Sequence, residues 1–236
     1  MSGRNLGLLG ELALSTWCAQ VGIVANKSEQ DLTGWDYILE FPITSGSEKV
    51  SLIDKEPFPL RCFIQVKSTD DNPGKWDVKL DNWLRLVKNP LPCFFLVLEF
   101  ENQTECQRAY LVHVDKKYIT QVLKRLRKAS ALKTKELHEM TMRFNYSPLD
   151  LVSSLNGHGL SEAIHKHVSI SPEEYAAQKQ QVISTVGYEE GNWTINVDFL
   201  PPPNSTDPRE VLVDFLLGKV THLETIKMKI TDCDLG

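Results

Sequence analysis

Glu11, Asp36, Gln65 and Lys67 are the residues of this 236-residue chain whose types and spacing suit chemistry on a phosphodiester. Carboxylates give hard oxygen ligands to Mg²⁺ or Mn²⁺ and leave coordination positions for water and phosphate. Such an ion lowers the pKa of a bound water and neutralises charge developing on phosphate; a lysine beside it orients either one. Gln65 and Lys67 are two residues apart, so on a strand they share a face, and a neighbouring strand can add Asp36 to that face. Neither a Gln-x-Lys nor a Gly-x-Asp is specific alone. The signal lies in their order and in the elements that carry them. The competing reading is that Glu11 pairs locally, Asp36 opens a strand and Lys67 is solvated at a strand end.

Residues so far apart must be brought together by folding. Residues 6–19 predict a helix in which Glu11 is the single charge among Leu6, Leu8, Leu9, Leu12, Ala13, Leu14, Trp17 and Cys18. A surface helix carries several charges on its outer face, so this one is expected to be largely buried. Its carboxylate is then costly unless paired, hydrogen-bonded or metal-bound. Val21–Ala25 and residues 34–41 are strand-like, the second closed by Pro42, with Asp36, Ile38 and Glu40 on one face and Trp35, Tyr37, Leu39 and Phe41 on the other. Thr44–Pro59 is expected to be a loop or hairpin excursion. Then Cys62, Ile64 and Val66 alternate against Phe63, Gln65 and Lys67.

After a turn at Asp70–Gly74, residues 81–88 predict a short helix with Leu80, Trp83, Leu84 and Val87 as its apolar stripe. Cys93–Leu98 is apolar on both sides, as a central buried strand is, and Ala109–Val114 predicts another strand. Asp115 caps a helix with Tyr118, Ile119, Val122, Leu123 and Leu126 inward. Helix, strands, helix, strand, strand, helix is an α/β order with a mixed sheet. It is expected to fill residues 1–146, leaving 147–236 as a smaller accessory α+β region for partner, substrate or oligomer contacts. There Ser171-Pro172-Glu173-Glu174 and Asp207-Pro208-Arg209-Glu210 start helices, and Trp193–Phe199 and Ile226–Ile230 alternate as strands.

Apolar residues at 42% and charged residues at 24% exclude disordered, collagen-like and coiled-coil chains. The longest apolar run, Cys93–Leu98, falls far short of the roughly 20 residues of a membrane span, so no membrane role is expected. With no secretory apolar region at the N-terminus, a cytoplasmic protein is expected. Five cysteines without a CxxC pair disfavour a disulfide framework and a structural zinc site.

The run from Gly10-Glu11 through Gly34-Trp35-Asp36 to Gln65-Val66-Lys67-Ser68-Thr69 resembles the PD-(D/E)XK nuclease superfamily. It is most similar to the Mrr-like branch and to a related bacterial defence-associated domain family of unassigned function. The resemblance covers residues 3–130. It implies a restriction-endonuclease-like core of order α-β-β-β-α-β. It further implies Mg²⁺ or Mn²⁺ held by Glu11, Asp36, Gln65 and the Val66 backbone carbonyl, Lys67 assisting the nucleophile, and cleavage of double-stranded DNA in anti-phage defence or restriction. Most of the superfamily has Asp or Glu where Gln65 stands, while the Mrr-like branch commonly carries Gln. A glutamine adds no charge, so weaker metal binding is expected. The alternative is a catalytically silent nucleic-acid-binding or sensor module of a larger defence assembly. Cutting two strands is easiest with two active sites, which points to a homodimer or a partner defence protein.

Charge clustering supplies a candidate nucleic-acid surface. Residues 113–143 hold nine basic against three acidic residues, a net +6 in a chain of net −5. Lys116, Lys117, Lys124, Arg125, Arg127 and Lys128 lie on the helix after Asp115, and the segment to Arg143 extends the cluster; such groups contact phosphates without reading sequence. A solvated helix face is the bland alternative. His158, Glu162, His165 and His167 lack metal-ligand spacing and are expected in a loop. Gly3, Gly7 and Gly10 have no following Lys-Ser/Thr and are expected to be close-packing positions. Trp35 and Trp76 are expected to pack in the core or at its rim rather than stack on bases.

Overall fold

The Asn5 side chain accepts the Leu8 amide at 3.1 Å, an N-cap that starts helix α1, Leu6–Gln20. In the computed structural model, which describes residues 4–29, 34–43, 58–132, 137–186, 193–199, 217 and 225–232, α1 lies on a mixed five-stranded sheet. The strands are β1 (Val24–Lys27), β2 (Tyr37–Glu40), β3 (Arg61–Thr69), β5 (Cys93–Glu99) and β6 (Arg108–His113), side by side in that order. The first three form an antiparallel meander, β5 runs parallel to β3, and β6 turns back antiparallel. The parallel step needs a crossover, supplied by β4 (Lys75–Lys79) and helix α2 (Leu80–Lys88). Helix α3 (Lys116–Leu132) follows β6, and Asp115 accepts the Tyr118 amide at its start.

Period-two alternation divides the core into two layers. Tyr37, Leu39, Ile64, Phe94, Leu96 and Leu98 face α1, where Leu14, Trp17 and Cys18 are buried, and helix α4 (Gly157–His167). Phe63, Phe95, Val97 and Val112 face α2 and α3, together with the antiparallel pair β4 and β7 (Thr141–Asn145). Trp83 of α2 anchors this second layer, its ring 4.9 Å from Phe95 and its indole N–H donating to the Met142 carbonyl at 3.0 Å. Helix α5 (Pro172–Thr185), capped by Ser171, docks through the buried Lys179, whose ammonium donates to the Leu86 and Leu91 carbonyls.

Several sequence expectations are corrected. Strand β4 fills residues 75–79, between the expected turn and the expected helix, and its partner β7 begins at the end of the basic segment. Arg143 there is committed to Asp77 by two hydrogen bonds of 2.9 and 2.7 Å. Helix α1 is not largely buried: it meets the sheet with one face and leaves Leu8 and Leu12 about half exposed. His158, Glu162, His165 and His167 sit on α4, not in a loop; Gly157 and Gly159, poor helix formers, hid it. Gly157 is required because a Cβ there would strike the Trp17 carbonyl of α1. Trp35 packs on Phe63, 4.9 Å away, and so joins the layer opposite to Tyr37, because the regular strand begins only at Tyr37.

The chain divides into a body of residues 1–186 and a unit of residues 187–236. Helices α4 and α5, expected in the accessory region, thus belong to the body. The smaller unit contains the antiparallel pair β8 (Trp193–Phe199) and β9 (Thr225–Asp232), as alternation predicts. The helix start at Asp207, most of Thr44–Pro59, Gly3 and Cys233 lie outside the described residues. Among the described residues no helix is long and apolar enough to cross a membrane.

Candidate functional site

Three elements meet where β2 begins and β3 ends. Gly34 has a φ of 78°, a backbone conformation that glycine adopts at little cost, and a Cβ there would lie 3.1 Å from the Asn82 carbonyl. The chain therefore runs tight against the first turn of α2 before it reaches Asp36. The Asp36 amide donates to the Ile64 carbonyl at 2.9 Å, and its own carbonyl accepts from Ser28 at 2.8 Å. Its Oδ2 accepts the Val66 amide at 2.6 Å, a short charge-assisted bond that fixes the carboxylate against β3.

On β3, Gln65 is 3% exposed, and its Oε1 has no hydrogen-bond partner among the described residues. Leaving such an oxygen unsatisfied costs about 1–3 kcal/mol, so a cation or a water there is favoured. Helix α1 brings in Glu11. It can approach β3 closely because Gly10 has no side chain; a Cβ would lie 3.2 Å from Val66 Cγ1 and closer still to the Ser68 hydroxyl. Glu11 Oε2 lies 2.5 Å from Lys27 Nζ on β1, and that carboxylate pushes the pKa of the Lys27 ammonium up.

These side chains surround a cavity of about 390 Å³, lined by Glu11, Asp36, Gln65, Val66 and Lys67 and also by Lys27, Ser28, Glu29, Trp35 and Asn82. All five residues expected around the ion are thus brought together. Three carboxylates face two ammonium groups, leaving one net negative charge, which favours a cation. The donors suited to a cation are all oxygens, from Glu11, Asp36 and Gln65 Oε1, and such a set fits hard Mg²⁺ or Mn²⁺. Among the described residues no three of His, Cys, Asp and Glu gather closely enough to bind a metal without such help.

Sequence reasoning missed Lys27, Ser28, Glu29 and Asn82. The first three belong to a four-residue strand and the turn after it, with no periodicity to mark an inward face. The basic residues of α3 do not line this cavity. Lys116, Lys117, Lys124, Arg125, Arg127 and Lys128 are exposed, and Arg127 donates to the Val186 carbonyl at 2.7 Å, tying α3 to the end of α5. Lys117 lies 5.6 Å from the centre of the Tyr118 ring. Compared with family models, curated proteins and solved structures, the chain matches none.

Proposed function

We propose that the protein is a metal-dependent endonuclease of the PD-(D/E)XK type, acting on DNA in anti-phage defence or restriction. The observation that carries this reading is the meeting of Glu11, Asp36, Gln65, Val66 and Lys67, from α1, the start of β2 and β3, around one polar cavity. The element order supports it: α1, β1, β2, β3, α2, β5 is α-β-β-β-α-β with β4 inserted. Glu11, Asp36, Gln65 Oε1 and the Val66 carbonyl would hold the ion. A divalent ion there would supply Lewis acidity and neutralise charge developing on the phosphate oxygens. Lys67 would donate a hydrogen bond to hold a phosphate oxygen or to orient the attacking water, and Asp36, fixed by the Val66 amide, needs no reorganisation. Lys27, which pairs with Glu11 and lines the same cavity, would offer a second ammonium to substrate phosphate.

The Lys27–Glu11 pair also favours a second reading, in which an ammonium has replaced the cation and the site only binds nucleic acid. Cleavage of supercoiled and linear duplex with Mg²⁺ or Mn²⁺ decides between them. For the nuclease, cutting requires metal, stops with EDTA, and falls at least about 100-fold in Lys67→Ala, the scale of losing one transition-state donor. Cutting that survives in both Asp36→Ala and Lys67→Ala overturns the site. A wild type that binds duplex but never cuts it is the silent module. Two-strand cutting by a second copy of the chain predicts a dimer on light scattering with duplex present.

A further inference from the structure

A second cavity, of about 380 Å³, adjoins the candidate site and shares Lys67 and Asn82 with it. Its other lining residues include Lys79, Arg85, Asp77 and Asp81. The two acids do not make it acidic. Both Asp77 oxygens accept hydrogen bonds from Arg143, whose guanidinium holds the Asp77 carboxyl below the usual carboxylate range, with Lys75 and Arg125 adding to the effect. Asp81 Oδ1 accepts the Asn82 amide at 2.9 Å. Lys79 and Arg85 are exposed, and among the described residues neither has an acidic partner. Counting Arg143, four cationic groups meet two carboxylates here, whereas the neighbouring cavity is net negative. The sign of the charge therefore reverses at Lys67 and Asn82.

From this reversal we infer that the second cavity is the backbone-phosphate subsite of a nucleic-acid strand whose scissile phosphate lies in the first. The inference rests on the nuclease reading for the identity of the first cavity. A phosphodiester chain needs cation-binding oxygens at the bond to be cut and fixed cations at the neighbouring phosphates, and the two cavities supply these side by side. Lys79 ends β4 and Arg85 lies within α2, so the β4–α2 junction places both side chains beside this cavity, with Asn82 between them in sequence. Contacts of this kind position a strand without reading its sequence.

The test is duplex binding by fluorescence anisotropy in EDTA, from 50 to 200 mM KCl, for wild type, Lys79→Gln/Arg85→Gln and Asp36→Ala, after thermal melting shows each variant folded. The double variant is expected to weaken binding about tenfold and to lower the slope of log K against log salt by about 2, one per lost phosphate contact. Asp36→Ala is expected to bind at least as tightly as wild type, since it removes a negative charge. An unchanged affinity and slope in the double variant overturns the subsite, as does a wild type that binds no duplex at 50 mM KCl. Failure of the nuclease reading registers separately, as absent metal-dependent cutting alongside an intact binding difference. A single-stranded RNA probe bound more tightly than duplex DNA, with the same loss in the double variant, keeps the subsite and changes its strand.

Discussion

In the proposed metal site, Gln65 is the residue on which affinity is expected to turn. It is buried, its Oε1 has no hydrogen-bond partner among the described residues, and it stands beside a carboxylate that the Val66 amide already fixes. Gln65→Glu preserves shape and adds a charge, so Mn²⁺ affinity measured by calorimetry is expected to rise about tenfold, equivalent to about 1.4 kcal/mol. Unchanged affinity would mean the ion does not touch position 65. His113 is a different kind of residue. Its Nε2 lies 2.8 Å from the Tyr175 hydroxyl and its ring stacks on Phe94, and burial pulls its pKa from 6.5 down to about 3, with the charges of His167 and Lys179 adding to the shift. The folded state thus refuses a proton that the unfolded chain accepts below pH 6.5. Stability from this group is complete above that value and falls as pH drops toward about 3. The thermal midpoint should fall between pH 7 and pH 4 less steeply in His113→Gln than in wild type. At this scale the sequence exposed Glu11, Asp36, Gln65 and Lys67, which the fold brings to one cavity, because each has a chemical type and a register. It did not expose Lys27 or Asn82, whose roles come only from what folding places beside them.

Strand β5 shows what element-level reading can and cannot do. Its unbroken apolar composition identifies a central strand, and it lies parallel to β3 with all seven residues buried. Glu99, at its end, is fully buried and accepts from Arg108 Nε at 2.8 Å and from the Tyr146 hydroxyl at 3.0 Å. That carboxylate ties β5 to β6 and to the residue after β7. Arg108→Ala removes its guanidinium donor and should cost about 2 kcal/mol, read from the urea midpoint, because hydrogen bonds to buried charges are expensive to lose. Helix α5 was legible from Ser171-Pro172-Glu173-Glu174 because caps are local chemistry. The β4–β7 pair was not, because its strands lie more than sixty residues apart and are selected by long-range packing of Val78, Met142 and Phe144, with the Asp77–Arg143 pair beside them. Helix α4 was hidden for the opposite reason. Its glycines lower local helix propensity, and packing against α1 overrides that propensity.

At the scale of the whole molecule, every residue assigned to chemistry lies within the body of residues 1–186. A chain ending at Val186 is therefore expected to retain the cooperative thermal unfolding of the body and the same Lys67-dependent cleavage. Loss of cleavage by a body that still unfolds cooperatively would show that residues 187–236 are needed for the activity. The parallel pairing of β3 with β5 has a further consequence, for folding kinetics. β5 can dock only after the crossover through β4 and α2 has formed, and non-local parallel pairing is slow. Until then Cys93–Glu99, seven residues whose only charge is Glu99, stands exposed as a flat, sticky edge of the kind that recruits other chains. Refolding from denaturant should accordingly lose yield as protein concentration rises. The strand that gives the native sheet its driest centre thus makes the unfinished chain dependent on dilution, or on a chaperone, to reach it.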